Sequence, residues 1–172
     1  MRAAARSSTD ASPLATGEHQ PTMEILMRLQ LALNVRDLEA AIDFYSKMFD
    51  ATPAKRKPGY ANFAIDQPPL KLVLFETPDG DELQHLNHLG VEVLSSGEVA
   101  AAEARLSASG LETTGVDDTI CCFAEKTETW LESPEGARWE WYVKTGDAET
   151  IEFASVGAAA SETVCCAPDT AT

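Results

Sequence analysis

Two cysteines stand side by side in the segment TICCFA, Cys121 and Cys122, and the next cysteines are another adjacent pair, Cys165 and Cys166. Neighbouring Cα atoms lie about 3.8 Å apart, short of the roughly 4.4–6.8 Å usual for a disulfide, so a bond within either pair would be strained. A vicinal thiol pair is soft-ligand chemistry, suited to holding one thiophilic atom through both sulfurs. The plainer alternative is two small buried hydrophobes. Adjacent side chains in a regular strand face opposite ways, so both thiols can be core only between two apolar layers, whereas chelation requires the strand to be broken. The expectation is an irregular or mobile loop over Asp117, Asp118, Thr119 and the two cysteines.

Three further residues could meet around a cation. Gln30 lies in LQLALNV and His88 in NHLGVEV, and superposing these two stretches places one residue on the other. Glu140 lies in ARWEWYV, where strand alternation puts Arg138, Glu140 and Tyr142 on one face and Trp139, Trp141 and Val143 on the other. A lone buried histidine is ordinarily a hydrogen-bonded core residue, and Glu140 could simply pair with Arg138. The internal repeat argues otherwise, because it sets Gln30 and His88 at equivalent positions. His85 is a reserve ligand in a linker.

The elements that must position these residues form two copies of a β-α-β-β-β unit. In the first, Leu29, Leu31, Leu33 and Val35 share a strand face and Arg28, Gln30, Ala32 and Asn34 the other. Asp37 caps a helix whose stripe is Leu38, Ala41, Ile42, Tyr45, Met48 and Phe49. Strands follow near 51–56, 60–66 and 70–76. PDGDEL, Pro78 to Leu83, links to the second unit. There Ser95 and Glu98 form a capping-box pattern, Gly110 stops the helix, and strands fit near 112–116, 120–124, 127–132 and 138–144. The fold class is α+β: two fused βαβββ modules, about 27–77 and 84–145, forming a cup, with disordered extensions over 1–26 and 146–172.

The 172 residues carry a formal net charge of −15, which disfavours nucleic acid and anionic membranes as partners. The hydrophobic content of 44% is ordinary for a globular chain, and no apolar run approaches membrane-span length. The first residues lack the apolar stretch of a secretory signal. Cysteines in adjacent pairs, not spread as a disulfide framework, fit a reducing, cytoplasmic compartment.

Residues 27–145 resemble the vicinal oxygen chelate (glyoxalase/bleomycin resistance/dioxygenase) superfamily, and within it the Fe(II)-dependent carbon–arsenic lyases and their cadmium-induced relatives. The features that carry the resemblance are QLALNV with Gln30, AKRKPGYANF (Ala54 to Phe63), NHLGVEV with His88, TICCFA with Cys121 and Cys122, and SPEGARWEWY with Glu140. The resemblance implies Fe(II) on Gln30, His88 and Glu140, an imperfect form of the two-His-one-carboxylate arrangement, with Glu140 also catalytic. It implies capture of a trivalent organoarsenical such as methylarsenite by Cys121 and Cys122, and dioxygen-dependent release of arsenite. The position equivalent to Glu140 in the first module falls near Val73 or Leu74, neither a ligand, so open coordination positions are expected.

Tyr60 could line the pocket with a catalytic role or simply pack. Lys55, Arg56 and Lys57 read as a solvated basic edge. Cys165 and Cys166 could pass arsenical inward or do nothing. Two other classes stay open: a cadmium- or metalloid-binding resistance protein without turnover, and a glyoxalase-like or extradiol-dioxygenase-like enzyme on the same scaffold. The first explains the thiols; the second does not. A single chain carries both modules and can complete the cup, as a monomer or in a homodimer.

Overall fold

The computed structural model describes residues 27–77 and 83–149. The expected N-terminal extension, most of the linker, and Cys165 and Cys166 lie outside the described residues. Ten elements follow in the order β1 (Arg28–Val35), α1 (Leu38–Phe49), β2 (Lys55–Lys57), β3 (Tyr60–Ile65), β4 (Leu70–Glu76), β5 (Leu86–Glu92), α2 (Ser96–Ala108), β6 (Asp117–Cys121), β7 (Ala124–Glu132) and β8 (Arg138–Asp147). The repeat of β-α-β-β-β is thus realised, and the class is α+β.

Eight strands form a sheet in the order β2-β3-β4-β1-β5-β8-β7-β6. The first strand of each module runs parallel to the last strand of the same module, β1 with β4 and β5 with β8. The two modules join antiparallel through β1 and β5, with Gln30 opposite Gly90 and Ala32 opposite His88. Those two pairs are each other's images: exchanging the modules turns Gln30 into His88 and Gly90 into Ala32. The register therefore carries the two-fold relation that the sequence repeat implies.

The helices cover one side of the sheet. Asp37 accepts a hydrogen bond from the Ala40 amide at 2.9 Å and so starts α1, a cap worth about 1 kcal/mol. Leu38 and Ile42 bury against Ala61, Phe63, Leu72 and Leu74, with Ala41, Tyr45 and Phe49 packed alongside. Each fully buried side chain of this size contributes about 1.5–3 kcal/mol. Met48 departs from the expected stripe, since it is exposed at the helix edge. In the second module Ser95 caps α2 by accepting from the Glu98 amide. Val99 packs with Val93 and Val143 while Trp141 closes over them.

The other side of the sheet is the cup. On β1 the polar face is the more deeply buried one: Gln30, Ala32 and Asn34 are 0–4% exposed, whereas Leu29 on the leucine face is 56% exposed. The sheet's curl brings its two ends together. The Lys55 ammonium on β2 donates to the Phe123 carbonyl at 2.9 Å and to Asp147 at 2.5 Å, and Tyr60 on β3 meets the Phe123 ring edge-on at 5.4 Å.

Several boundaries differ from the expectation. Residues 51–54 lead into β2 without joining it, and 112–116 are irregular after Gly110, whose φ is +83°. The strand expected there begins instead at Asp117. Asp117, Asp118 and Thr119 are therefore not an irregular loop: they pair with Glu128, Thr127 and Lys126 on β7. The last strand runs to Asp147, past the expected domain end at 145. Lys55, Arg56 and Lys57 are not simply a solvated edge, because Lys55 ties β2 to the hairpin across the cup while Arg56 pairs with the exposed Glu39.

Candidate metal centre and thiol pair

Gln30 on β1, His88 on β5 and Glu140 on β8 come together inside the cup. The Gln30 amide nitrogen lies 2.8 Å from His88 Nε2 and donates to Glu140 Oε2 at 3.0 Å. His88 Nε2 and Glu140 Oε2 are 3.5 Å apart. All three are 4% exposed or less. Small residues make this approach possible: a Cβ on Gly90 would meet the Gln30 Cβ at 3.2 Å and the Glu140 carbonyl at 3.4 Å. Its image Ala32 is equally enclosed.

A chain of side chains fixes the imidazole. Asn87 Oδ1 lies 2.7 Å from His88 Nδ1, Asn87 donates to Asn34 at 2.9 Å, and Asn34 donates to the Gln84 carbonyl at 2.8 Å. An acceptor on Nδ1 places the ring proton there and leaves the Nε2 lone pair facing Gln30 and Glu140. Burial pushes the His88 pKa down, against the opposing pull of Glu140.

Glu140 is held as a carboxylate. Burial alone would raise its pKa, but the Lys126 ammonium, then His88 and Glu128, hold it well below the usual range. Lys126 donates to Glu140 Oε1 at 2.6 Å and lies 3.5 Å from Glu128 Oε2. Glu128 carries the cost of this crowding: burial and the Glu140 charge push it up to about 7. Arg138, the alternative partner for Glu140, instead lies 4.6 Å from the Trp130 ring centroid.

The sequence reading missed the second tier of this site. Tyr142 donates to the Gln30 amide oxygen at 2.7 Å, and the Lys71 ammonium donates to the Tyr142 hydroxyl at 2.9 Å. Lys71 also meets Glu92, which pairs with Arg28. Tyr142 shares the Glu140 face by strand alternation, so its placement was legible. Lys126 and Lys71 were not, because a lysine in a strand reads as solvent-facing until a buried acid is found opposite it.

Cys121 ends β6 and Cys122 opens a two-residue turn with Phe123, at φ +56° and +62°. Positive φ at both central positions is the geometry of a tight hairpin turn, and it supplies the break in the strand that chelation by adjacent residues requires. The two sulfurs lie 3.1 Å apart, beyond the roughly 2.05 Å of a disulfide bond; Cys121 keeps its thiol and Cys122 is disulfide-bonded, though not to Cys121, so chelation through both sulfurs requires reduced protein. They are buried with Ala32, Tyr60, Val73 and Phe123, and Phe75 and Trp130 pack against this cluster.

A cleft of about 190 Å³ joins the two halves of the site, lined among others by Gln30, His88, Cys122, Tyr60, Val73 and Lys126. Tyr60 packs on Phe75 and Phe123, its hydroxyl accepting from Asn62 at 2.7 Å. Val73 is the image of Glu140: Val73 pairs with Ala32 as Glu140 pairs with Gly90. His85 is exposed and contributes its backbone carbonyl to the Asn34 amide, so its side chain is not part of the centre.

His88 Nε2 and Glu140 Oε2 converge on the Gln30 amide nitrogen, while the amide oxygen accepts from Tyr142 on the other side. Among the described residues no three His, Cys, Asp or Glu side chains gather to hold a metal, so a cation beside His88 and Glu140 would gain Gln30 as a third ligand only with the amide turned to present its oxygen. The apolar Val73 leaves the fourth corner without a protein donor, the feature that separates reactive from closed metal sites.

Comparison with known proteins agrees with this geometry. Residues 28–141 match the family model described as the Glyoxalase/Bleomycin resistance protein/Dioxygenase superfamily. The chain is 51% identical over 143 residues to a trivalent organoarsenical cleaving enzyme of Thermomonospora curvata, covering 83% of this chain and 90% of that one. It is 58% identical over 126 residues to the cadmium-induced protein CadI of Mycobacterium bovis, covering 73% and 82%. Among solved structures, a Mn(II)-bound glyoxalase of Novosphingobium aromaticivorans shares the fold with a TM-score of 0.51 and 18% identity, over 75% of this chain and 44% of that one. The paired modules, the register that unites Gln30 with His88, and these likenesses place the chain in the glyoxalase/bleomycin resistance protein/dioxygenase superfamily, alongside the trivalent organoarsenical cleaving enzymes and CadI proteins.

Proposed function

We propose that this protein cleaves the carbon–arsenic bond of trivalent organoarsenicals, such as methylarsenite or reduced aromatic arsenicals, and releases arsenite. One observation carries the reading: Cys122, with Cys121 beside it, lines the same cleft as Gln30 and His88, to which Glu140 is joined. Trivalent arsenic is thiophilic and binds two thiolates by displacing its hydroxyls as water. Cys121 and Cys122, as thiolates in a reducing medium, would hold it through both sulfurs and turn its organic group toward Gln30, His88 and Glu140.

Fe(II) is the metal this reading requires; His88, Glu140 and Gln30, its amide turned to present the oxygen, would hold it, and it would supply the one-electron chemistry that dioxygen needs. The protein contributes the rest. Asn87 keeps the Nδ1 proton in place, so the nitrogen facing the cleft stays a donor of electrons. Lys126 occupies Glu140 Oε1 and leaves Oε2 for the metal. Tyr60, Val73 and Phe75 line the cleft with apolar surface, backed by Phe123 and Trp130, which would exclude water and accept a methyl or aryl group. Tyr60 acts here as substrate wall, with its hydroxyl kept protonated by burial. The soluble setting proposed is the cytoplasm, where thiols stay reduced; among the described residues no helix is long and apolar enough to cross a membrane.

A second reading is favoured by the 58% identity to a cadmium-induced protein: the dithiol would hold cadmium or arsenite without turnover. Anaerobic Fe(II) reconstitution followed by oxygen exposure with methylarsenite separates the two. Oxygen consumption with matching arsenite release supports the lyase; stoichiometric binding with no product establishes the binder.

A further inference from the structure

Cations gather at the cleft of a strongly acidic chain. Arg28, Lys55, Lys71, Lys126 and Lys144 line it, five of the 13 lysines and arginines, and Glu92 is its one lining acid among the described residues. Lys55 and Lys144 share Asp147 at the rim, at 2.5 and 2.8 Å, while Arg28 and Lys71 share Glu92, Lys71 at 3.5 Å. Each trio carries one more positive charge than negative. The second is the more enclosed: the Lys71, Glu92 and Arg28 side chains are 13%, 15% and 30% exposed, against 63% for Asp147. An excess charge partly withdrawn from water attracts an anion more strongly than a solvated one.

The enclosed trio also lies in line with the cysteines and the metal site. Ala32 and Val73 pack beside Cys121 and Cys122 and pair with each other across β1 and β4. Side chains two residues apart share a strand face, so the next pair on that face is Gln30 with Lys71, and beyond Gln30 stands Arg28, opposite Glu92. Lys71 is about 7 Å from Val73 along its strand, and Arg28 about 7 Å beyond Gln30. The order along the cup is thus cysteine pair, Gln30, cations, and an aryl group on arsenic at the cysteines points its far side toward Lys71 and Arg28.

We propose that Arg28 and Lys71 form an anion site at one end of the cleft, which selects trivalent aryl arsenicals whose ring carries a carboxylate or similar anion over uncharged ones. This rests on the cleavage reading above. With arsenic on the reduced cysteines, the ring lies along Val73 and Gln30, and a carboxylate at its para position meets the Lys71 ammonium and the Arg28 guanidinium. The Arg28 Nε engages Glu92, and its terminal nitrogens present the planar fork that suits a second carboxylate. Glu92 stays in place as the counter-charge that keeps the two cations together.

The test compares 4-carboxyphenylarsenite with phenylarsenite as substrates of reduced, Fe(II)-loaded, full-length protein near pH 7. The wild type should favour the carboxylate by about tenfold in kcat/KM, the scale of one charge-assisted hydrogen bond. Arg28→Gln should lose that preference through KM, and Arg28→Lys should keep most of it. Calorimetric titration with benzoate and benzamide reads the same site without turnover or substitution: benzoate should bind the wild type about tenfold more tightly. Equal kcat/KM for the two arsenicals, or equal binding of benzoate and benzamide, overturns the anion site and leaves cleavage intact. Absence of arsenite release from both arsenicals overturns the cleavage reading, and with it the part this site plays in selecting substrate.

Discussion

Lys126 Nζ donates to Glu140 Oε1 at 2.6 Å where both side chains are at most 5% exposed. A buried carboxylate needs a cation, and this lysine supplies one whether or not a metal is bound. Breaking a buried pair by removing one partner costs about 3–5 kcal/mol. Lys126→Met should therefore lower the melting temperature of metal-free protein markedly. A divalent metal in excess should return about 2–3 kcal/mol to it, as ligand binding to the folded state does at roughly a hundred times Kd. Calorimetry of both proteins with and without Mn(II) checks this.

Tyr142 supports Gln30 from behind, its hydroxyl 2.7 Å from the amide oxygen. Tyr142→Phe keeps the packing and removes the hydroxyl that holds the amide oxygen away from His88 and Glu140. Metal affinity should rise severalfold, since the amide turns its oxygen inward without giving up about 1 kcal/mol of hydrogen bond, while the fold is retained. Competition titration with a fluorescent chelator measures the change.

How far the site was legible beforehand follows from these same residues. Gln30 and His88 were found because a sequence repeat is a spatial statement: equivalent positions in two-fold related modules meet at the axis. Glu140 and Tyr142 followed from alternation in ARWEWYV. Lys126 escaped notice because its meaning depends on the β7–β8 register, which no local pattern encodes. The loop expected over Asp117 to Thr119 is strand because β7 offers it a full edge to pair with; only Cys122 and Phe123 leave the ladder. The preceding segment, read as strand, pairs with little beyond the Trp130 carbonyl reached by Thr114.

Val73 marks the vacant corner of the two-fold pattern. Val73→Glu should place a second carboxylate opposite Glu140 and tighten divalent metal binding, by about tenfold or more if it ligates. Turnover should fall at the same time, since an occupied corner is lost to substrate. Metal titration and steady-state rates on one preparation test both halves, and looser binding in a folded variant would contradict the pseudo-symmetry argument.

Lys71 gives the protein a pH signature. Burial pushes it down to about 8 from an ordinary 10.5, against the pull of Glu92; Arg28 and Lys126 add to the depression and Glu140 opposes it. The unfolded chain keeps this proton between pH 8 and 10.5 while the folded one sheds it, so stability rises with pH across that window. The full difference is about 3 kcal/mol. Tyr142, pushed well above its usual range by burial, opposes this only at higher pH. Urea unfolding from pH 7.5 to 9.5 should show the rise in wild type and its absence in Lys71→Met.

The most direct test is a crystal structure of reduced protein grown anaerobically with Mn(II) in place of Fe(II) and with phenylarsenite. The account predicts the metal on Gln30, His88 and Glu140, and arsenic bridging the Cys121 and Cys122 sulfurs with its phenyl group in the same cleft. Metal bound elsewhere, or arsenic held where its organic group cannot face that metal, would contradict it.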